Sequence, residues 1–471
     1  GESLPVKMFE PTENLLESNR KSGINIFHED FAKYLDDCDP LKEYRSEYHI
    51  PTNSDIPFAD LKLVKPDEPC VYLCGHSLGL QPKATKKYVE DELDKWATKG
   101  VLGHAHVEDK PWLTIDETVN GLSAQIVGGL ESEVIVMNTL TVNLNLLMVP
   151  FYRPTPERHK ILIEGKNFPS DYYAVESQVK FHGFDPAVSL VEALPRESES
   201  CLRTEDILNI IEEQGDSIAL IMFAGIQYYT GQLFDMKAIT EAGHKKGCVV
   251  GFDLAHAAGN VELSLHDWGV DFACWCTYKY LNAGPGGIGG VFIHEKHGQN
   301  FDLPRFAGWW GHDKTSRFQM EHKFIPLPGA AGFQMSNPPV LQTVSLLSSL
   351  KVHTKATMGA LRKKSLLLTG YMEYLLCSIT EQDNEVSSPG KSCIKVITPR
   401  NPADRGAQLS LLFPFDIDKC FAELSKRGVI VDERKPNVLR VAACPIYNSF
   451  MDVFKFYKYV KECYGIVYAK E

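Results

Sequence analysis

Between residues 134 and 255, short apolar runs alternate with stretches whose apolar positions recur at helical spacing. Val134 to Met137, Lys160 to Ile163, Ile218 to Phe223 and Cys248 to Phe252 are rich in β-branched residues and too short for helices, so each predicts a buried strand. Helices are predicted between them, from near Val142, over Tyr172 to Phe181 and over Met236 to Lys246. Such alternation is the signature of a parallel sheet covered on both faces. Upstream, Val71 to Cys74 predicts a strand and Pro82 to Lys99 a helix; downstream, Asp271 to Cys276 and Gly290 to His294 predict two more strands. From about residue 340 the pattern changes. Helices over Val340 to Leu350 and Ala360 to Leu376 lead through a charged loop at 381 to 392 into strands around Ile394, Leu409, Val429 and Leu439. These are interleaved with helices over Asp418 to Arg427 and Met451 to Tyr464. The fold class is therefore α/β, with three expected regions: a polar, partly helical arm over 1–70, a large domain over 71–340 and a smaller α+β domain over 341–471.

Composition narrows the class of protein. A chain of 471 residues with 44% apolar and 23% charged content has interior enough for a deep site. Its formal net charge of -12 argues against nucleic acid or an anionic membrane as partner. No apolar run approaches the ~20 residues of a membrane span, and the start lacks a charged-then-apolar signal, so a cytoplasmic location is expected. The 12 cysteines show no C-x-x-C spacing and read as small buried hydrophobes in a reducing compartment. No metal-ligand set stands out.

The stretch from Cys248 to Gly290 carries the chemistry. The strand ending on Asp253 places a carboxylate at a strand's carboxyl end, the edge where open α/β sheets bind ligands. The next strand leads to Thr277, Tyr278 and Lys279 and then to a glycine-rich loop that leaves little bulk between Lys279 and a ligand. Taken singly, such an acid is more often a cap and such a lysine a solvated charge. Together they fit pyridoxal phosphate, which needs a lysine amine to form a Schiff base and an acid to keep its ring nitrogen protonated. Gly284, Gly286 and Gly289 also spell G-x-G-x-x-G, but a strand rather than a helix follows, so no dinucleotide fingerprint is read. Thr139 and Thr141 at a predicted helix start suit a phosphate and serve equally as a cap. Phe168, Ser170 and Asp171 fill a loop where an aromatic and an acid could stack on and orient a planar ring, or form a staple and cap. Arg440, on the last predicted strand, fits an ion pair or a substrate carboxylate.

The segments FDLAHAAGN, DFACWCTYKYLNAGPGG, GWWGH, GHSLGLQP, LTVNL, FPSDYYA, SNPP and LRVA, in matching order from about residue 70 to 450, resemble kynureninases. These are pyridoxal-phosphate hydrolases of the aspartate aminotransferase fold type. The resemblance implies a mainly parallel seven-stranded sheet sandwiched by helices, with a smaller C-terminal domain. It implies cleavage of kynurenine and 3-hydroxykynurenine to anthranilate or 3-hydroxyanthranilate plus alanine, in tryptophan degradation leading to NAD. By the same resemblance, Lys279 holds the cofactor and moves protons, and Tyr278 touches the phosphate and aids proton transfer. Asp253, with Asp171 close by, holds the ring nitrogen; Phe168 stacks on the ring and His256 lies beside it. Leu140, Thr141 and Ser170 meet the phosphate, and Ala224 stands near the cofactor where relatives have serine. Trp309 and Asn337 look like residues lent by a second subunit, which implies a homodimer. Arg440 matches the arginine that grips the substrate carboxylate, with Ser77, His104 and Asn337 as further substrate contacts. His104 and Asn337 match a pair that accompanies preference for the 3-hydroxy substrate. Two further departures are His76 for asparagine, and Ala443 with Cys444 for a Pro-Val pair. A cysteine desulfurase, with Cys393 as its reactive thiol, an aminotransferase and an inactive scaffold are the rival readings.

Overall fold

The computed structural model describes residues 11–382 and 394–468. The chain divides into two compact units, His76–Met358 and a second made of Gly1–Gly75 with Gly359–Glu471. The first strand, β1 (Val71–Tyr72), belongs to the second unit. The next seven lie in His76–Met358: β2 (Val134–Val136), β3 (Lys160–Glu164), β4 (Leu190–Ala193), β5 (Ile218–Ala224), β6 (Val249–Asp253), β7 (Phe272–Trp275) and β8 (Gly290–Ile293). They form one sheet in the order β2-β8-β7-β6-β5-β3-β4. Only β8 runs antiparallel to its neighbours, β2 and β7; the other pairings are parallel. The first six residues of β5, Ile-Ala-Leu-Ile-Met-Phe, are all buried, as a strand covered on both faces requires. Gly251 in β6 is needed for packing, since any Cβ there would overlap the Phe272 ring on β7.

β4 was not expected from the pattern. It is a short edge strand with a single buried residue, so its pairing with β3 rather than its own apolar content makes it a strand. The helix expected from Tyr172 starts earlier, spanning Pro169–Phe181, because proline is preorganised for the first helical position. Likewise the helix expected near Val142 spans Leu140–Phe151. Ser170, Asp171, Leu140 and Thr141 thus sit in first helical turns rather than in loops.

The smaller unit holds β9 (Lys395–Val396), β10 (Gln408–Leu412), β11 (Val429–Ile430), β12 (Asp432–Arg434) and β13 (Val438–Ala442). Four of these make an antiparallel sheet in the order β12-β13-β10-β9, and β1 pairs with β11 in parallel. Residues expected as a separate arm contribute to this unit's core: Leu15, Phe31 and Leu35 are buried in one cluster with Tyr371, Leu375 and Val453. The amphipathic helix Glu29–Cys38 explains this, because its apolar stripe must be covered by something. Conversely, helix Val340–Ala356, expected to open the small domain, buries Leu346, Leu347 and Leu350 in a core of the larger unit. Nearly all of the charged loop expected at 381 to 392, and Cys393, lie outside the described residues. Among the described residues no helix is long and apolar enough to cross a membrane.

Candidate active site

A cavity of about 220 Å³ opens where the parallel strands of the larger unit end. β3 brings Glu164 to it, β5 brings Ala224 and β6 brings Asp253; the segment after β7 brings Tyr278 and Lys279. Two helix starts complete the wall, one with Leu140 and Thr141, the other with Phe168, Ser170 and Asp171. This is the carboxyl edge of the sheet, where crossovers diverge and leave room for a ligand.

Lys279 is held by its loop. Thr277 Oγ1 donates to the Ile288 carbonyl at 2.6 Å and Ala283 N–H to the Thr277 carbonyl at 2.9 Å. Gly79 N–H donates to the Tyr278 carbonyl at 2.8 Å, and a Cβ on Gly79 would collide with the Lys279 carbonyl. From that base, Lys279 Nζ lies 3.2 Å from His256 Nε2 and 5.9 and 5.8 Å from the ring centroids of Phe168 and Tyr278. Tyr228 packs edge-on against Phe168, with centroids 5.2 Å apart.

Three buried carboxyls line the same cavity. Asp253 Oδ1 accepts the Ala255 N–H at 2.8 Å, which turns the carboxylate at the strand end. Asp171 hydrogen-bonds Asp253; burial, the Asp253 charge and this contact push its carboxyl well above the usual range. Two carboxyls in contact need a shared proton, so the pair carries one negative charge. Burial also pushes Glu164 up, to about 8, against the pull of backbone N–H groups including that of Ala224. Tyr278 is raised by burial first and then by the nearby Cys276, so its phenol is protonated at neutral pH and can donate.

The helix Leu140–Phe151 starts without a side-chain cap: Thr139 is extended and makes no capping hydrogen bond. Its first-turn N–H groups are therefore left for another acceptor. Thr141 Oγ1 and Ser170 Oγ lie 2.7 Å apart and link the two helix starts. Ala224 offers only its backbone, and its N–H donates to Glu164 Oε2 at 3.1 Å.

The remaining residues expected in the site do not line this cavity. Ser77 is exposed in a turn. His104 ends the short helix Gly100–His104 and meets Trp112 edge-on at 5.3 Å. Trp309 is 41% exposed, its indole N–H bound to the Arg317 carbonyl at 2.9 Å. Asn337 is exposed in a loop. Arg440 belongs to the smaller unit, where it is buried on β13 and paired with Asp432 on β12. Sequence reasoning missed Glu164 and Tyr228. Glu164 gave the same signal as Asp253, an acid closing a buried strand, whereas Tyr228 lies in a tyrosine-rich loop with no periodic mark.

Comparison with known proteins agrees with this geometry. Residues 71–400 match the family model described as aminotransferase class-V, and residues 361–460 match the kynureninase C-terminal domain. A kynureninase of Nematostella vectensis is 54% identical over 449 residues, covering 95% of this chain and 96% of its own. The Homo sapiens kynureninase is 54% identical over 425 residues, covering 90% of each chain. Among solved structures, a cysteine desulfurase of Escherichia coli superposes with a TM-score of 0.68 over 90% of this chain and 98% of that one, at 15% identity. A C-DES variant with glycine linked to its PLP cofactor gives 0.66 over 86% and 99%, also at 15% identity. These distant structures share the fold; the identity of more than half over nearly the whole length is with kynureninases, and the chain belongs to the kynureninase family.

Proposed function

We propose that this chain is a pyridoxal-phosphate hydrolase that cleaves 3-hydroxykynurenine, and kynurenine less well, to the matching anthranilate and alanine. The observation that carries the reading is the amine of Lys279 facing the buried Asp171–Asp253 pair across one cavity, in a chain 54% identical to kynureninases.

The donor set fits the cofactor. The uncapped start of Leu140–Phe151, with the Thr141 and Ser170 hydroxyls, would take the phosphate. The Asp171–Asp253 pair would hold a protonated ring nitrogen, Phe168 would cover the ring face and Lys279 would carry the aldehyde carbon. When bound, the group supplies an electron sink for charge that develops on the substrate carbons. The chain's own part is proton handling. Lys279 would take and return the proton at the substrate α-carbon, with His256 Nε2 3.2 Å away to share it. Tyr278, kept as a phenol by burial, is a proton donor for the side-chain ketone as water adds and the β–γ bond breaks. Phe168 and Tyr228 form an aromatic wall on one side of the cavity.

Trp309 and Asn337, set apart from their own chain's cavity, are read as residues lent to a second copy, so the working form is a homodimer. Arg440 is read as the carboxylate clamp on the resemblance alone, and its guanidinium is ion-paired with Asp432. A cytoplasmic location accords with the composition. The desulfurase reading has only the shared fold, at 15% identity, in its favour.

The test compares specificity constants for 3-hydroxykynurenine and kynurenine, followed by release of aryl acid and alanine. A site that pairs the ring hydroxyl should favour the hydroxylated substrate by roughly tenfold to a hundredfold, the weight of ~1–3 kcal/mol. The double change His104→Trp with Asn337→Thr should narrow or invert that ratio; an unchanged ratio refutes the role of this pair, and sulfide release from cysteine instead of aryl acid refutes the reaction.

A further inference from the structure

Glu164 is the third carboxyl in the cavity, and none of the roles above uses it. It is the last residue of β3, and only 2% of it is exposed. The β3–β5 pairing ends at Leu162 and Ile221, so the end of β5, still paired with β6 through Ala224 and Asp253, has no ladder partner on its β3 side. The Glu164 side chain takes over there, its Oε2 accepting the Ala224 N–H at 3.1 Å. The next residue, Gly225, donates its N–H to the Asp253 carbonyl at 2.8 Å, and the chain then runs to Tyr228 against Phe168. Glu164 therefore grips the segment that leads from the acid pair to the aromatic wall. The charge it faces is the like charge of Asp253, with Asp171 beyond, whereas the Lys279 charge acts on Asp171 and its Nζ lies 3.2 Å from His256 Nε2. A second negative charge beside that of the acid pair, in so buried a place, would be strongly opposed.

We propose that Glu164 is a positioning residue that works as a neutral acid, fixing the end of β5 through the Ala224 N–H while leaving the cavity only the single charge of the Asp171–Asp253 pair. The burial that raises its carboxyl to about 8 is consistent with this. The proposal rests on the cavity being the cofactor's, as argued above. A glutamine in this place keeps the acceptor oxygen and the size and cannot ionise, so it should reproduce the neutral acid; an alanine cannot.

The experiment uses the full chain and two variants, Glu164→Gln and Glu164→Ala, with two readouts. The first is the stability of the cofactor-free protein against pH. An unfolded glutamate ionises near pH ~4.3, whereas Glu164 in the folded protein holds its proton to about pH 8. The parent should thus lose stability relative to Glu164→Gln as pH rises between these values and no further above them. The second is the dissociation constant of pyridoxal 5'-phosphate itself, which Glu164→Ala should weaken by about tenfold and Glu164→Gln should restore to within threefold of the parent. A gap between parent and glutamine variant that does not change with pH, or a glutamine variant that binds as weakly as the alanine one, overturns the proposal. If alanine prevents folding, the glutamine comparison against pH still decides it. Failure of the parent itself to take up the cofactor would count against the proposed function and leave the pH readout standing.

Discussion

The two ends of the large sheet treat buried acids in opposite ways. At the carboxyl end, Asp171, Asp253 and Glu164 share one cavity, with Asp171 and Glu164 pushed up by burial. At the amino end, Asp271 enters β7 equally buried, yet its carboxylate is saturated. His244 Nε2 lies 2.7 Å from Oδ2, the Val250 N–H donates to Oδ2 at 2.8 Å, and His297 and Lys296 reach Oδ1 at 2.8 and 2.9 Å. Burial pushes Asp271 up, but hydrogen bonds from the two histidines and the Lys296 charge more than reverse this and hold it far below the carboxylate range. Nearby Glu133 is handled similarly, accepting from His266 at 2.9 Å and from the Glu295 N–H at 2.8 Å. His294 adds a third possible ligand atom, all within 4.8 Å, although the sequence had marked no metal set; the hydrogen bonds already account for the cluster. Burial alone therefore does not mark a functional acid. What separates the two ends is whether the fold supplies the donors or leaves them to a ligand.

The largest effect should come from removing Lys279, the lysine that lines the cavity of the open acids among the described residues. Lys279→Ala should abolish turnover and the visible or near-ultraviolet absorbance of attached cofactor; turnover near the parent rate would overturn its assignment. Next, Asp271→Asn should destabilise the fold by on the order of 3 kcal/mol, because two histidine hydrogen bonds and the Lys296 ammonium lose their common buried carboxylate. Asp271 has a depressed folded-state affinity for protons, so its contribution is present above pH ~4 and lost as pH falls below that. Melting curves should show the parent and variant converging in acid; a constant difference would mean that the ionic cluster is not what holds this end.

Asp171→Asn should do the reverse. A raised carboxyl contributes stability that is present below the unfolded value of ~3.9 and lost as pH rises through the folded one. Asparagine escapes that loss, so the cofactor-free variant should melt a few degrees higher than the parent at neutral pH while binding pyridoxal phosphate more weakly. A variant that melts lower than the parent at pH 7 would erase the contrast between the two ends. The smallest effect is expected of Ala224→Ser. The site already holds this residue through its backbone N–H, so cofactor affinity should change by less than about 0.5 kcal/mol. A larger gain by equilibrium titration would show that an added hydroxyl finds a partner here.

Much of this was legible in the chain. The apolar runs that became β3, β5 and β6 are buried on both faces, and such runs can be little else than interior strands. Asp253 and Lys279 were readable because each closes or follows such a strand, so local pattern alone put them at the ligand edge. The short strand β4 was not readable, because its few apolar residues acquire meaning only beside β3.

The sequence by itself determined the alternation of strands and helices, the acid and the amine at the sheet's edge, and through its motifs the family. Only the tertiary structure decided which acids meet. Asp171 and Asp253 touch, and Glu164 reaches Ala224, because parallel crossovers bring distant strand ends side by side. His244 and His297 find Asp271 by the same means at the other end. Side-chain period and propensity act over a few residues, whereas the proton affinity of a carboxyl depends on every dipole and charge within a few ångströms, wherever in the chain they originate.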